Sequence, residues 1–239
     1  MRRLRVSTVG SAIFAAGLMA LTGCSTGGSS ENADAKPGKA TAGSERPESG
    51  RDMPPVADGK PASAGELQPL LLSAGDLGAN YTQKPAQDES SKKHDDVAIS
   101  GCPALDKLGA SSNDLKFATK VTADFTYDFS SDLSEELHSD SPRKLSATFR
   151  AVDKAYGSCP TYTMTAGSTP VQIGVSKVTP PKLGDEQFGY LLTMSFPGKT
   201  IVAKQFVVRQ GNKALLLSGS PGLVEKNLKT AYDKLAAKQ

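Results

Sequence analysis

Lys120-Val121-Thr122-Ala123-Asp124-Phe125-Thr126-Tyr127-Asp128-Phe129 is the stretch on which the fold turns. Val121, Ala123, Phe125, Tyr127 and Phe129 alternate strictly with Lys120, Thr122, Asp124, Thr126 and Asp128. A period of two puts the apolar set on one side of an extended chain and the polar set on the other. The pattern predicts a half-buried strand over 121–129. Its apolar face belongs under helices and its polar face toward water or a polar cleft.

Helix and strand signals follow on the C-terminal side. Ser141 is placed to cap a helix, Pro142 fits its first turn, and Leu145, Phe149, Val152 and Tyr156 recur at helical spacing before Gly157. Strands are predicted over 161–165 and 171–178, and a third carries Phe188, Tyr190, Leu192, Met194 and Phe196 on one face. Ile201–Arg209 and Ala214–Ser218 flank Gly211-Asn212, a hairpin signal. A last helix starts at Ser220-Pro221 with Val224, Leu228, Ala231 and Leu235 on one stripe. One helix inserted among strands, then adjacent strands closed by a helix, is an α+β pattern. It predicts an antiparallel sheet of about five or six strands, helices packed on one face and the other face at least partly free.

Toward the N-terminus, Glu66-Leu67-Gln68-Pro69-Leu70-Leu71-Leu72 predicts a short helix or turn docking its leucines, and Ser73-Ala74-Gly75-Asp76-Leu77-Gly78 breaks it. Cys102 and Cys159 are each followed by proline. Outside the cytoplasm an even pair reads as a disulfide, with two free thiols as the alternative. Closing so long a loop restricts the unfolded chain by about 4 kcal/mol in the entropy account.

The first residues give an address. Arg2, Arg3 and Arg5 precede an apolar run from Val9 to Leu21, which is short for a bilayer span and right for a signal sequence. Leu21-Thr22-Gly23-Cys24 resembles the lipobox of bacterial lipoproteins. The resemblance implies cleavage before Cys24, a diacylglyceryl thioether on its sulfur, and tethering to the outer face of the cytoplasmic membrane. Residues 1–23 then form the signal peptide. Residues 24–61, rich in Gly, Ser, Ala and Pro, are expected to be a disordered tether: they cannot bury enough apolar surface to offset ordering. Its flexible reach is on the order of 35 Å. Residues 62–239 remain as one domain, long enough for a proper core. The whole chain has 28 basic and 25 acidic residues, and the leader holds three of the arginines, so the rest is balanced. No basic footprint for nucleic acid is left, and no polybasic cluster for anionic lipid.

Leu70-Leu71-Leu72 with Asp76-Leu77-Gly78, Gly101-Cys102-Pro103, Phe149-Arg150-Ala151-Val152 running to Cys159, and Phe206-Val207-Val208-Arg209-Gln210-Gly211-Asn212 occur in that order. The layout over residues 66–237 resembles the extracellular sensor domain of the mycobacterial Ser/Thr kinase PknH and its lipoprotein relatives in actinobacteria. The resemblance implies an α+β domain with a cleft for an unidentified ligand. The kinase sensor carries two disulfides and this domain has cysteines for one. The matching motifs are structural, so no ligand residues carry over.

Enzyme signatures are missing. Ser218-Gly219-Ser220-Pro221-Gly222 has Ser where a nucleophile elbow needs its first Gly. No phosphate loop and no His-Glu-x-x-His occurs. Ser134, Glu135, Glu136, His138 and Asp140 read as a solvated acidic helix-and-turn region, and Asp185, Glu186 and Gln187 as a hairpin loop. His94 and His138 lie in polar segments with no metal-ligand spacing, and no cofactor is implied. The sequence therefore points to a non-enzymatic, membrane-anchored binding or sensor domain for a small molecule, glycan or protein. A lipid carrier and, further off, an envelope hydrolase are the alternatives. Asp124, Thr126 and Asp128, on the polar face of the opening strand, are the candidate ligand residues. The strand 161–165, with Thr161, Thr163 and Thr165 on one side, is expected beside it.

Overall fold

The computed structural model describes residues 59–86, 97–110, 116–166 and 169–237. The signal peptide, Cys24, His94 and all but the last residues of the expected tether lie outside them. In chain order the elements are α1 (Ala64–Leu67), a 3₁₀ turn (Gln68–Leu70), α2 (Ala74–Leu77), β1 (Tyr81–Gln83), β2 (Val97–Ser100), α3 (Pro103–Ala110), β3 (Thr119–Tyr127), β4 (Ser131–Ser139), α4 (Pro142–Gly157), β5 (Thr161–Ala166), β6 (Thr169–Val178), β7 (Glu186–Phe196), β8 (Lys199–Gln210), β9 (Lys213–Gly219) and α5 (Pro221–Ala236).

The strands form one nine-stranded sheet in the order β1-β3-β4-β9-β8-β7-β6-β5-β2. Every neighbouring pair is antiparallel. The α+β class and the antiparallel sheet hold, but the strands number nine rather than five or six. The three additional strands are β1, β2 and β4. Two of them are short edge strands, and the third hides its period behind a buried glutamate. Ser73–Gly78, read as a break, contains a helical turn of its own: Ser73 and Asp76 form a capping box around α2. Ser63 and Glu66 do the same for α1.

Helices cover both faces of the sheet, not one, and each face is covered over a different half. Phe206 and Val208 on β8, and Leu215 and Leu217 on β9, join one core with Val121, Ala123, Phe125, Leu133, Leu137, the α1–α2 leucines and the α5 stripe. Val207 and Ala214, between them in sequence, point the other way into a second core with α3, α4 and the inward residues of β5, β6 and β7. Successive side chains of a strand alternate between faces, so only the central strands β8 and β9 are buried on both. One face is thus left open along β3 and β4, and the opposite face along β5, β6 and β7.

The covers are fastened differently. Over β4, the Leu72 N–H donates to Glu135 Oε2 at 2.6 Å, and Lys234 of α5 donates to Leu71 O and to Asp76 Oδ2, both at 2.6 Å. On the other face a disulfide joins Cys102, at the head of α3, to Cys159, just after α4, with Cα atoms 5.7 Å apart. α4 begins as the sequence predicts, with the Ser141 hydroxyl accepting from the Lys144 N–H and Pro142 in the first turn. The chain enters the domain through three contacts, where the start of β3 and the end of β4 lie beside the β8–β9 turn. Asn212 Nδ2 donates to Lys60 O at 2.6 Å, the Ala62 N–H donates to Ser139 Oγ at 2.8 Å, and the Thr119 hydroxyl donates to Ala62 O at 2.7 Å.

Candidate functional site

The open face of β3 and β4 is polar because the strict alternation of β3 sends Val121, Ala123 and Phe125 into the first core and leaves Thr122, Asp124 and Thr126 on the reverse side. The register extends this surface across four strands. Asp124 pairs with Ser134, Ser134 with Ser218, and Ser218 with Gln205, which gives a transverse row of polar side chains. The row passes under cover at Tyr190, the partner of Gln205. There α4 lies over the sheet: the Tyr190 hydroxyl donates to Asp153 Oδ1 at 2.6 Å.

Three carboxylates mark the open surface. The Ser134 hydroxyl donates to Asp124 Oδ1 at 2.6 Å, and Lys84 Nζ meets Asp132 Oδ1 at 2.6 Å. Glu136 has His138 Nε2 at 3.1 Å on one oxygen and Lys120 Nζ at 3.5 Å on the other. Burial pushes the Glu136 carboxyl up, but the His138 hydrogen bond and the Lys120 charge outweigh it, and the group stands below its ordinary value. The His138 ring is itself packed against Phe117, with centroids 5.0 Å apart. A carboxylate has several acceptor positions, and Ser134 is the single hydrogen-bond donor to the Asp124 carboxylate among the described residues. The surface therefore offers hydroxyls and acceptors at fixed strand spacing, a chemistry suited to sugar hydroxyls and peptide N–H groups.

The structure separates several residues that the sequence grouped. Asp124 and Thr126 stand on the open face as expected. Asp128 does not: β3 ends at Tyr127, and Asp128 (φ 46°) with Phe129 (φ 58°) forms the hairpin tip in left-handed backbone. Phe129 is 97% exposed rather than part of the apolar face. The threonine strand β5 is not a neighbour, since five strands lie between it and β3. Tyr162 and Met164 of β5 pack in the second core, so Thr161, Thr163 and Thr165 point to the opposite face from Thr122 and Asp124. Residues 134–139 are not a solvated helix-and-turn region but the strand β4. Glu135 lies fully buried within it. Asp185 sits in a loop as read, but Glu186 opens β7 and ion-pairs with the buried Arg209.

Ser134, Glu136, Ser218 and Gln205 are the residues the sequence reading missed. The signal for two of them was present: Leu133, Glu135 and Leu137 alternate with Ser134, Glu136 and His138 once a glutamate is admitted to an inward position.

A cavity of about 260 Å³ lies elsewhere, on the face covered by α5. Val178, Thr179, Pro181, Lys204, Phe206, Glu225 and Leu228 line it.

The architecture has a solved counterpart. The chain superposes on the extracellular domain of PknH from Mycobacterium tuberculosis with a TM-score of 0.55 at 12% identity, covering 74% of this chain and 97% of that one. The domain has the PknH extracellular fold. A looser likeness, TM-score 0.35 at 9% identity over 72% of this chain and 90% of the other, relates it to the Rv0999 ortholog from Mycobacterium smegmatis. No family model and no curated protein matches the sequence. Among the described residues of this PknH-like domain, no helix is long and apolar enough to cross a membrane.

Proposed function

We propose that this chain is a lipoprotein anchored through Cys24 outside the cytoplasmic membrane, and that its PknH-like domain binds a polar ligand, a glycan or a peptide, without catalysing a reaction. The observation that carries this reading is the polar row Asp124, Ser134 and Gln205, flanked by Thr122, Thr126 and Glu136, which is partly exposed on β3 and β4 and passes into cover at the buried Ser218. A rigid antiparallel sheet holds these groups, so little ordering entropy is lost on binding. The lipobox-like Leu21-Thr22-Gly23-Cys24 supports the anchor, and the fold likeness to an extracellular domain supports the compartment.

One observation speaks against the hydrolase alternative. Ser134 and His138, the pair that invites a hydrolase reading, are four residues apart on one strand, roughly 13 Å, beyond proton-transfer reach.

The test has two arms. Glycan and peptide arrays probed with the chain should yield a ligand whose binding falls about tenfold or more in the double variant Asp124→Asn, Glu136→Gln, with the fold retained by circular dichroism. Equal binding by that variant would reject the site. For the anchor, Cys24→Ser should move the protein from the detergent phase to the aqueous phase and remove the lipid mass increment. An increment that survives the substitution would reject the lipidation.

A further inference from the structure

The cavity under the edge of α5 combines an apolar lining with a charge arrangement that the open polar face lacks. Phe206 and Leu228 form its inner wall, and Val178 and Pro181 close one side. Phe206 keeps its place because β7 has Gly189 opposite it. A Cβ at residue 189 would lie 2.3 Å from the Phe206 ring. The missing side chain makes room for the ring against β7.

Lys204 stands at the mouth. Its side chain is only 12% exposed, and its ammonium lies 5.7 Å from the centroid of the Phe206 ring. Its counter-ion is the carboxylate of Glu225, whose own side chain is 59% exposed. The asymmetry matters. The cation is held in a desolvated position and cannot leave without losing the ring. The carboxylate sits on the outer surface of a helix and reaches water by a rotamer change. Holding such an exposed partner contributes little to stability. The lysine site is already occupied by a carboxylate, and the carboxylate is the replaceable member of the pair.

We propose that this cavity is a binding site for a small amphipathic monocarboxylate. The ligand head would take the position of the Glu225 carboxylate on Lys204, and its short apolar body would lie against Phe206 and Leu228. An ammonium head would meet Lys204 as a like charge. An alcohol head would leave the Lys204–Glu225 pair intact and gain only the apolar contact. The site lies on the opposite face of the sheet from Asp124 and Glu136, so it stands independently of the polar-face reading.

Hexanoate, hexanol and hexylammonium titrated into the purified full chain, with amide chemical shifts as the readout, test the proposal. Hexanoate should shift Lys204, Glu225 and Leu228 and bind about tenfold or more tightly than hexanol, with hexylammonium weakest. Lys204→Met should bring hexanoate down to the level of hexanol. Glu225→Gln removes the internal competitor and should tighten hexanoate several-fold. That variant changes an exposed helix position, so it decides the matter even where Lys204→Met fails to fold. The double variant Asp124→Asn, Glu136→Gln should leave hexanoate binding unchanged. Equal affinity for hexanoate and hexanol, shifts that map away from the cavity, or unchanged or weaker binding in Glu225→Gln would overturn the assignment.

Discussion

The β1-β3-β4 side of the sheet and the β6-β5-β2 side solve one problem by opposite means. Each must hold a helical layer against one face of a twisted antiparallel sheet. On the first side the α1–α2 segment is held by side-chain hydrogen bonds: Glu135 to the Leu72 N–H, and Lys234 to Leu71 O and Asp76. On the second side α3 and the end of α4 are joined covalently, Cys102 to Cys159. The difference teaches where each half is vulnerable. A covalent tie acts mainly on the unfolded chain and is indifferent to acidity. A buried carboxyl tie depends on its proton.

The largest effect should come from breaking the covalent tie. Replacing Cys102 and Cys159 together by Ala should lower stability by about 4 kcal/mol, the loop-closure contribution for a tie of this length. Urea unfolding under non-reducing conditions measures it, and a loss below about 1 kcal/mol would show that the core holds α3 and α4 without it.

A somewhat smaller effect should come from acidity on the other half. Burial pushes the Glu135 carboxyl from 4.5 up to about 7, against the hydrogen bond from Leu72 and the charge of Lys234. Between those values the folded state holds a proton that the unfolded chain has released. Stability should therefore fall as the pH rises through that window, and this contribution should be flat below and above it. The size is roughly 3 kcal/mol. Unfolding at pH 5 and pH 7.5 should show the fall in the parent and not in Glu135→Gln. Parallel curves for the two proteins would refute the assignment.

The smallest effect concerns Lys234→Met, which removes the donor to Leu71 O and Asp76. The pair is partly exposed, so the cost at neutral pH should be about 1 kcal/mol. The more telling readout is the acid limb. Hydrogen bonds from Lys234 and Ser73 hold the Asp76 carboxyl down at about 2. The stability this supplies is present above the ordinary carboxyl value and is lost as pH falls toward 2. In the variant that loss should be smaller and should level off at higher pH, because the folded-state value of Asp76 rises toward the ordinary one. An unmoved acid midpoint would show that Ser73 alone holds Asp76.

Much of this organisation was legible in the residues. The alternation of 121–127, the capped helix from Ser141 and the α5 stripe each obey a single rule with a single outcome. The disulfide was legible because two cysteines allow one pairing. What escaped has physical reasons. β4 hides its period because Glu135 occupies a core position, and a sequence gives no hint that a backbone N–H will be waiting for it. Asp128 and Phe129 turn the chain without glycine, and Asp is one of the few residues that adopts left-handed backbone readily. The two-faced cover was written in Phe206-Val207-Val208 and Ala214-Leu215-Leu216-Leu217. Such unbroken apolar runs mark strands buried on both sides. The place of Asp124 and Thr126 on the open face was legible because they belong to a clean alternation. Ser218 and Gln205 join them only through register, which no local pattern encodes.

The place where the chain enters the domain has a mechanical consequence. Lys60, Ala62 and their partners Asn212, Ser139 and Thr119 gather the ends of β3, β4 and the β8–β9 turn at one corner of the sheet. A pull arriving through the preceding residues would load these three hydrogen bonds first and then peel α1 and α2 away, with the Glu135 tie next in line. The disulfide-bonded half lies at the far side of the sheet and would feel that load last. Under tension the molecule would yield in stages from one corner, with the carboxyl tie as the acidity-dependent step in its resistance.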